Sequence, residues 1–307
     1  MALMDIKKYL QERKEIVDSA LEAYFPRRAD SGGEGVFPTS LQNAIRHSLF
    51  AGGKRIRPIL SMAAFEAVGG RGERIRPFAC ALEMIHTYSL IHDDLPALDN
   101  DDYRRGKPTC HKVFGEAIGI LAGDALLTEA FRLMTSQPLH EPSLRDGELV
   151  LDVTHEVAQA SGIMGMVGGQ VLDIESEGKD VDFPTLQYIH THKTGALILA
   201  SVRVGAKLGG AREDSLKALT QYGERIGLAF QIADDILNVE GKAALLGKKT
   251  GSDLSRKKAT YPSFMGLEES KRRAKELIEL ALEAIRSFGP EAEPLREIAR
   301  FILSREN

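Results

Sequence analysis

The sequence predicts an all-α protein folded as one domain. Apolar residues recur at helical spacing in segment after segment, and no alternating, β-branched run bounded by turn residues is present. No linker, composition shift or fixed-period repeat marks a boundary in the 307 residues. A chain of this length can bury a large core without staples.

Ile6, Tyr9, Leu10, Ile16, Val17, Ala20, Leu21 and Tyr24 form one apolar stripe, and Pro26 stops that helix. A Gly-rich loop is expected over 31–38. A second helix over 40–50 takes Ser40 as N-cap and Gly52-Gly53 as its stop. Residues 79–94 read as a buried helix broken near Pro96, and 117–134 as another apolar helix closed by Pro138. The clearest surface loop is 137–146. Residues 149–175 read as helical despite Gly162, Gly165, Gly168 and Gly169. Each glycine costs about 1 kcal/mol inside a helix, so close approach of another helix is the expected reason for them. Helices follow over 185–208 and 215–239, then a loop rich in Gly, Lys and Ser over 241–258. A helix over 268–288 places Ala274, Leu277, Ile278, Ala281, Ile285 and Phe288 on one face. Pro290 and Pro294 set off a short last helix.

Forty Lys and Arg against 44 Asp and Glu give a formal net charge of −4, which argues against a general nucleic-acid binder. Cys80 and Cys110, with no CxxC spacing, read as reduced thiols of a cytoplasmic protein. The first 20 residues carry charges throughout and read as neither signal peptide nor membrane span. No run elsewhere reaches the ~18 uncharged apolar residues that a spanning helix needs.

Two Asp pairs stand in apolar, helix-forming sequence. One is in His92-Asp93-Asp94-Leu95-Pro96-Ala97-Leu98-Asp99, followed by Arg104-Arg105-Gly106-Lys107-Pro108; the other is in Phe230-Gln231-Ile232-Ala233-Asp234-Asp235-Ile236-Leu237-Asn238. Adjacent carboxylates repel and are costly to bury unless a cation neutralises them. Asp234 and Asn238 share a helix face. Asp93 and Asp99 would diverge by about 240° on a straight helix, and a break at Pro96 brings Asp99 back. Carboxylate oxygens suit Mg²⁺, which keeps several waters and is usually shared with substrate phosphates.

Cations accompany both pairs. Gly52-Gly53-Lys54-Arg55-Ile56-Arg57-Pro58 puts three on a tight turn, Arg104 and Arg105 follow the first pair, and Lys193-Thr194-Gly195 opens an apolar stretch. Lys248, Lys249, Lys257 and Lys258 populate the late loop. Arg offers phosphate a planar fork and Lys a point charge. Singly, each cluster is more often a solvated face; together they suggest two phosphorylated groups.

Other sites fit less well. Gly247-Lys248-Lys249 lacks the earlier Gly, the following Ser or Thr, and the preceding strand of a P-loop. Gly165 to Gly169, read as helical, is no dinucleotide fingerprint. A His-Asp metal phosphohydrolase using His92 and Asp93 would also be all-α and remains a competitor. No GxSxG or Cys/His nucleophile arrangement is convincing.

The chain resembles the trans-isoprenyl diphosphate synthases, most of all the bacterial farnesyl diphosphate synthases. The blocks that carry the likeness run in order: Gly52 to Pro58, Glu83 to Pro96, Arg104 to Thr109, Gly165 to Gln170, His192 to Gly195, Phe230-Gln231 with Asp234-Asp235, and Lys258 to Pro262. The resemblance implies helices stacked around a deep central cavity, a homodimer, and head-to-tail condensation of isopentenyl diphosphate with an allylic diphosphate. It implies three Mg²⁺ per active site, on Asp93 and Asp99 with Asp94 in support, and on Asp234 with Asp235 behind it. Arg104, Lys193 and Lys248 or Lys258 would hold the allylic diphosphate. Lys54, Arg57, His86 and Arg105 would hold isopentenyl diphosphate, and Thr194 and Gln231 would stand by the developing allylic cation. A terpene cyclase is disfavoured because the isopentenyl residues are all present.

Tyr88, five residues before Asp93, would floor the tunnel for the growing chain, with Ser89 beside it. The family associates an aromatic there, with two extra residues in the first Asp motif, with a fifteen-carbon product; a twenty-carbon product is the alternative. Asn238 departs from relatives that end the second motif in Asp. An amide oxygen can ligate but carries no charge, so weaker metal affinity is expected there.

Overall fold

The computed structural model describes residues 4–26, 38–136, 144–244 and 259–304. Residues 31–37 of the expected Gly-rich loop, 137–143 of the expected surface loop and 245–258 of the late loop lie outside them. Lys248, Lys249, Lys257 and Lys258 are therefore not placed. The described fold is all-α, as expected. The chain divides into two compact units, one of residues 7–62 and 72–154, the other built mainly from 63–71 and 155–304.

The first unit holds α1 (Ile6–Tyr24), α2 (Thr39–Leu49), the start of α3 (Ile56–Ala67), α4 (Arg76–Asp93), α5 (Cys110–Phe114), α6 (Glu116–Thr135) and the start of α7 (Leu144–Ser161). α4 begins with Pro77 in its first turn, where a missing N–H costs nothing. It is buried almost all round, so it forms the centre of the unit, with α6 and α2 packed against it. Its one buried acid, Glu83, is neutralised by Arg55 at 2.6 Å. The same guanidinium reaches Asp18 at 2.8 Å and the Leu49 carbonyl at 2.6 Å.

The second unit holds α8 (Met166–Ser176), α9 (Phe183–Ile189), a π-helical segment (His190–Gly195), α10 (Ala196–Leu208), α11 (Glu213–Ala244), α12 (Tyr261–Met265), α13 (Leu267–Ala284) and α14 (Glu293–Ser304). α11 is its spine. Leu219, Tyr222, Ile226, Ala229, Ile232 and Ile236 are buried at three- and four-residue intervals, and α10, α13, α14 and the π segment pack on it. The Tyr222 hydroxyl donates to the Leu295 carbonyl at 2.6 Å, tying α14 to the spine.

Several expectations need correction. The helix expected over 149–175 is two helices, because the chain turns at residues 162–165 between α7 and α8. Pro38, not Ser40, caps α2, and no side chain caps its N-terminus. α11 runs to Ala244, through the start of the expected late loop. α13 ends at Ala284, so Phe288 lies beyond it. Among the described residues one small hairpin stands where no strand was expected, β1 (Tyr103–Arg104) paired antiparallel with β2 (Lys107–Pro108). Its two turn residues, Arg105 (φ 53°) and Gly106 (φ 75°), both adopt positive φ, as a type I′ turn demands.

Candidate active site

In the first unit α4 ends at Asp93, and the chain then doubles back. The Asp99 N–H donates to the Asp93 carbonyl at 2.8 Å, and the Leu98 and Asn100 N–H groups close on the Leu95 carbonyl at 2.9 and 3.0 Å. Asp93 and Asp99 are thus returned to the same end of α4, as the break near Pro96 predicted. Asp94 is only 3% exposed and receives Arg104 Nε on Oδ1 at 2.6 Å. Burial raises its carboxyl to about 6 against the opposing pull of Arg104. Asp94, proposed as a supporting metal residue, is therefore committed to an ion pair, and Arg104 is held by it. Arg104 also lies 3.5 Å from Asp101.

The cations expected to hold one diphosphate gather here too. The Arg105 guanidinium donates to the Gly52 carbonyl. It lies so close over Gly53 that a Cβ there would meet its carbon at 2.6 Å, and Gly53 itself sits at φ 121°. Glycine is what lets the hairpin arginine rest on the 52–58 turn. Of the three cations on that turn, Arg55 points inward to Glu83 and Asp18, while Lys54 is exposed and Arg57 half-buried. Half-buried His86 has its pKa well below the usual value. Burial is the first cause, and the positive charges of Arg57, Arg105 and Arg104 add to it. Burial and the neighbouring positive charges both favour the neutral imidazole at His86.

Tyr88 is 7% exposed, and its ring meets His92 edge-on at 5.7 Å between centroids. Burial, then the nearby Asp93 charge, raises its phenol pKa. The Ser89 hydroxyl donates to the His86 carbonyl at 2.9 Å. His92 Nε2 is paired with the Ile120 carbonyl at 3.0 Å, so it is turned toward α6 instead of completing a His-Asp metal pair with Asp93.

In the second unit Asp234 and Asp235 lie mid-helix in α11, Asp234 half-buried and Asp235 4% exposed. Asp235 accepts the Tyr261 N–H at 2.9 Å and Gln231 Nε2 at 3.2 Å. Gln231 Oε1 accepts the Thr194 hydroxyl at 2.9 Å. The π segment, a common signature of functional helices, carries Lys193 and Thr194. Asp173 on α8, which holds Lys193 Nζ at 2.7 Å, was missed. Its signal was an acid three residues after Gln170, set between Val171, Leu172 and Ile174. Gly169 bears out close approach as the reason for a glycine: a Cβ would lie 2.2 Å from the Lys193 backbone nitrogen.

Asp93 and Asp99 in the first unit, and Asp234 in the second, carry carboxylate oxygens of the kind that Mg²⁺ takes when it keeps waters and shares substrate phosphates. Among the described residues no three acidic, His or Cys side chains are grouped so as to hold a metal ion by themselves.

A polyprenyl synthetase family model matches residues 38–290. The chain belongs to the polyprenyl synthetase family. That membership makes it a trans-prenyltransferase. It is 51% identical over 300 residues to a geranylgeranyl diphosphate synthase of Cyanophora paradoxa, covering 97% of this chain and 96% of that one. It is 45% identical to a farnesyl diphosphate synthase of Geobacillus stearothermophilus, covering 100% of both. Among solved structures it is similar to an FPP/GFPP synthase of Zymomonas mobilis, with a TM-score of 0.84 and 37% identity over 97% of this chain and 99% of that one.

Proposed function

We propose that this enzyme condenses isopentenyl diphosphate head-to-tail with dimethylallyl or geranyl diphosphate, releasing pyrophosphate and yielding farnesyl diphosphate. The observation that carries this reading is that the chain after α4 returns Asp99 to the end of the helix where Asp93 stands, while Arg105 rests on the turn that carries Lys54 and Arg57. One polyanion held by metal and another held by cations is what two diphosphate substrates require.

Asp93, Asp99 and Asp234 would hold Mg²⁺, which supplies charge stabilisation to the departing pyrophosphate. Lys54, Arg57, His86 and Arg105 bind isopentenyl diphosphate and aim its double bond. Lys193, with Arg104 and Lys248 or Lys258, binds the allylic diphosphate. Thr194 and Gln231 present oxygen dipoles to the developing allylic cation, a preorganised electrostatic contribution. The proton lost after coupling goes to pyrophosphate, so no dedicated protein base is needed.

Tyr88, buried and five residues before Asp93, supports the fifteen-carbon product. The likeness to a geranylgeranyl diphosphate synthase favours the second reading, the same chemistry carried to twenty carbons. We also propose that the two units act together as one domain, in a cytoplasmic homodimer; no helix among the described residues is long and apolar enough to cross a membrane. Incubation with Mg²⁺, labelled isopentenyl diphosphate and either starter, followed by dephosphorylation and sizing, tests the reading. A fifteen-carbon alcohol is expected. A twenty-carbon alcohol selects the second reading, and no condensation from either starter overturns both.

A further inference from the structure

We infer that Asp235 is a positioning residue that sets the direction of the hydrogen bond from Thr194 to Gln231. The inference rests on the proposed prenyl transfer for its kinetic meaning, though the chain of contacts stands on geometry alone.

Asp235 is buried on α11, and both its oxygens are engaged. Oδ2 accepts the Tyr261 N–H at 2.9 Å, and Oδ1 faces Gln231 Nε2 at 3.2 Å. Tyr261 is in turn fixed. A reciprocal capping box between Thr260 and Ser263 starts α12 at Tyr261. The Tyr261 ring stacks on His190, 5.3 Å between centroids and 15° apart in plane. Phe183 meets it edge-on from α9 at 5.3 Å. The carboxylate is therefore clamped in one orientation.

That clamp removes an ambiguity. A glutamine side chain can be turned either way, and its neighbours decide which end is the donor. Asp235 Oδ1 accepts from Gln231 Nε2, so the Gln231 NH₂ faces Asp235 and the Gln231 oxygen faces Thr194. The Thr194 hydroxyl then has one role, to donate to Gln231 Oε1 at 2.9 Å. With its proton committed there, Thr194 Oγ1 keeps its lone pairs for a cationic neighbour. The backbones beneath are close enough to hold this registry, since a Cβ on Gly227 of α11 would lie 3.1 Å from Gly195 Cα. On the proposed reading, Asp235 acts at a distance by fixing the sign of the dipole offered to the allylic cation, and it touches no substrate.

A double-mutant cycle tests this. Wild type, Asp235→Asn, Thr194→Val and the double variant are compared for kcat and for KM of both diphosphates. Asn can donate as well as accept, so Gln231 is free to turn. The expected result is a kcat lower by about 10- to 100-fold in Asp235→Asn, the scale of a misdirected active-site dipole, with both KM values within about threefold of wild type. In the Thr194→Val background the same substitution should change kcat by less than about threefold, since the hydroxyl it steers is gone. An equal kcat loss in both backgrounds overturns the inference, as does a large rise in the Mg²⁺ concentration for half-maximal rate, which would make Asp235 a metal ligand. If Asp235→Asn does not fold, selectively labelled wild-type protein provides a second reading. The Gln231 side-chain NH₂ protons should show nuclear Overhauser contact with the Tyr261 amide proton; contact with the Thr194 methyl group in its place overturns the inference. Failure of wild type to condense would instead sink the proposed function, while the amide contacts would still judge the orientation.

Discussion

Lys193 Nζ lies 2.7 Å from Asp173 Oδ2, with both side chains largely withdrawn from solvent. The pair joins α8 to the π segment and holds the ammonium extended in one direction. On the proposed reading an entering diphosphate, with more negative charge than one carboxylate, takes over as partner, and Asp173 keeps the lysine in place between turnovers. Lys193→Ala is expected to lower kcat/KM for the allylic substrate by about 10- to 100-fold, the size of one charge-assisted hydrogen bond of roughly 1.5–3 kcal/mol. Asp173→Asn should cost less than about tenfold. Initial rates against allylic diphosphate concentration decide it; equal losses in the two variants would count against a substrate role for Lys193.

Gly169→Ala should damage both stability and rate. Its Cβ would meet the Lys193 nitrogen at 2.2 Å and Cα at 2.7 Å, and backbone cannot yield as a flexible side chain does. Overpacking of this kind costs about 1–3 kcal/mol. Urea unfolding should reveal that loss, and kcat should fall as the π segment is displaced. An unchanged rate would mean that α8 shifts instead.

Arg55 and Glu83 form a buried ion pair, with side chains 1% and 2% exposed. Removing one partner leaves the other charge stranded, a loss of about 3–5 kcal/mol. Glu83→Ala should therefore lower the denaturation midpoint sharply. On the proposed reading, KM for isopentenyl diphosphate should stay near the wild-type value below the melting range, because Lys54 and Arg57 remain on the turn. An unfolding free energy within about 1 kcal/mol of wild type would contradict this account.

His190 links pH to stability. It is 6% exposed, and burial lowers its pKa to about 4, with Asp173 opposing the shift and Lys193 adding to it. Its folded pKa lies below the unfolded value of 6.5, so the unfolded chain binds the proton more readily. The contribution is fully present above about pH 6.5 and is lost as pH falls toward 4, up to roughly 3 kcal/mol. Urea unfolding between pH 7 and 4.5 should show that slope. His190→Phe, which keeps a ring stacked on Tyr261, should flatten it. An unaltered slope would assign the effect to other groups.

Tyr88→Ala should lengthen the product. The ring is buried against His92 and sits one to two turns before the Asp93 carboxylate, so its removal opens space where a growing chain would end. Chromatography of dephosphorylated products measures this. An unchanged length distribution would release Tyr88 from any role in termination.

Much of the architecture was legible because helix periodicity is local. The stripe of α1, the buried run of α4 and the face of α13 each follow from spacing within a few turns of chain. The break after Asp93 was readable from Pro96 for the same reason. The turn at residues 162–165 was not, because glycines at a helix break and a glycine under a neighbouring helix look alike in sequence. Gly165 stands at the break, and Gly169 serves close approach. The Arg105-Gly106 hairpin was too short to leave an alternating pattern.

The sequence by itself determined that this is a helical protein with two Asp pairs, flanking cations and the ordered blocks of one enzyme family. The tertiary structure decided how the members of each pair divide their work. Asp94 and Asp235 turn inward, to Arg104 and to the Tyr261 N–H, while Asp93 and Asp234 remain half-buried. It also decided that Arg55 supports the fold while Arg57 and Arg105 gather at His86. The reason is that a charge is assigned by its partner, and those partners lie far along the chain: Glu83 is 28 residues from Arg55, Asp173 is 20 from Lys193 and Tyr261 is 26 from Asp235. Periodicity carries information over a few turns of helix, and only packing joins residues at such separations.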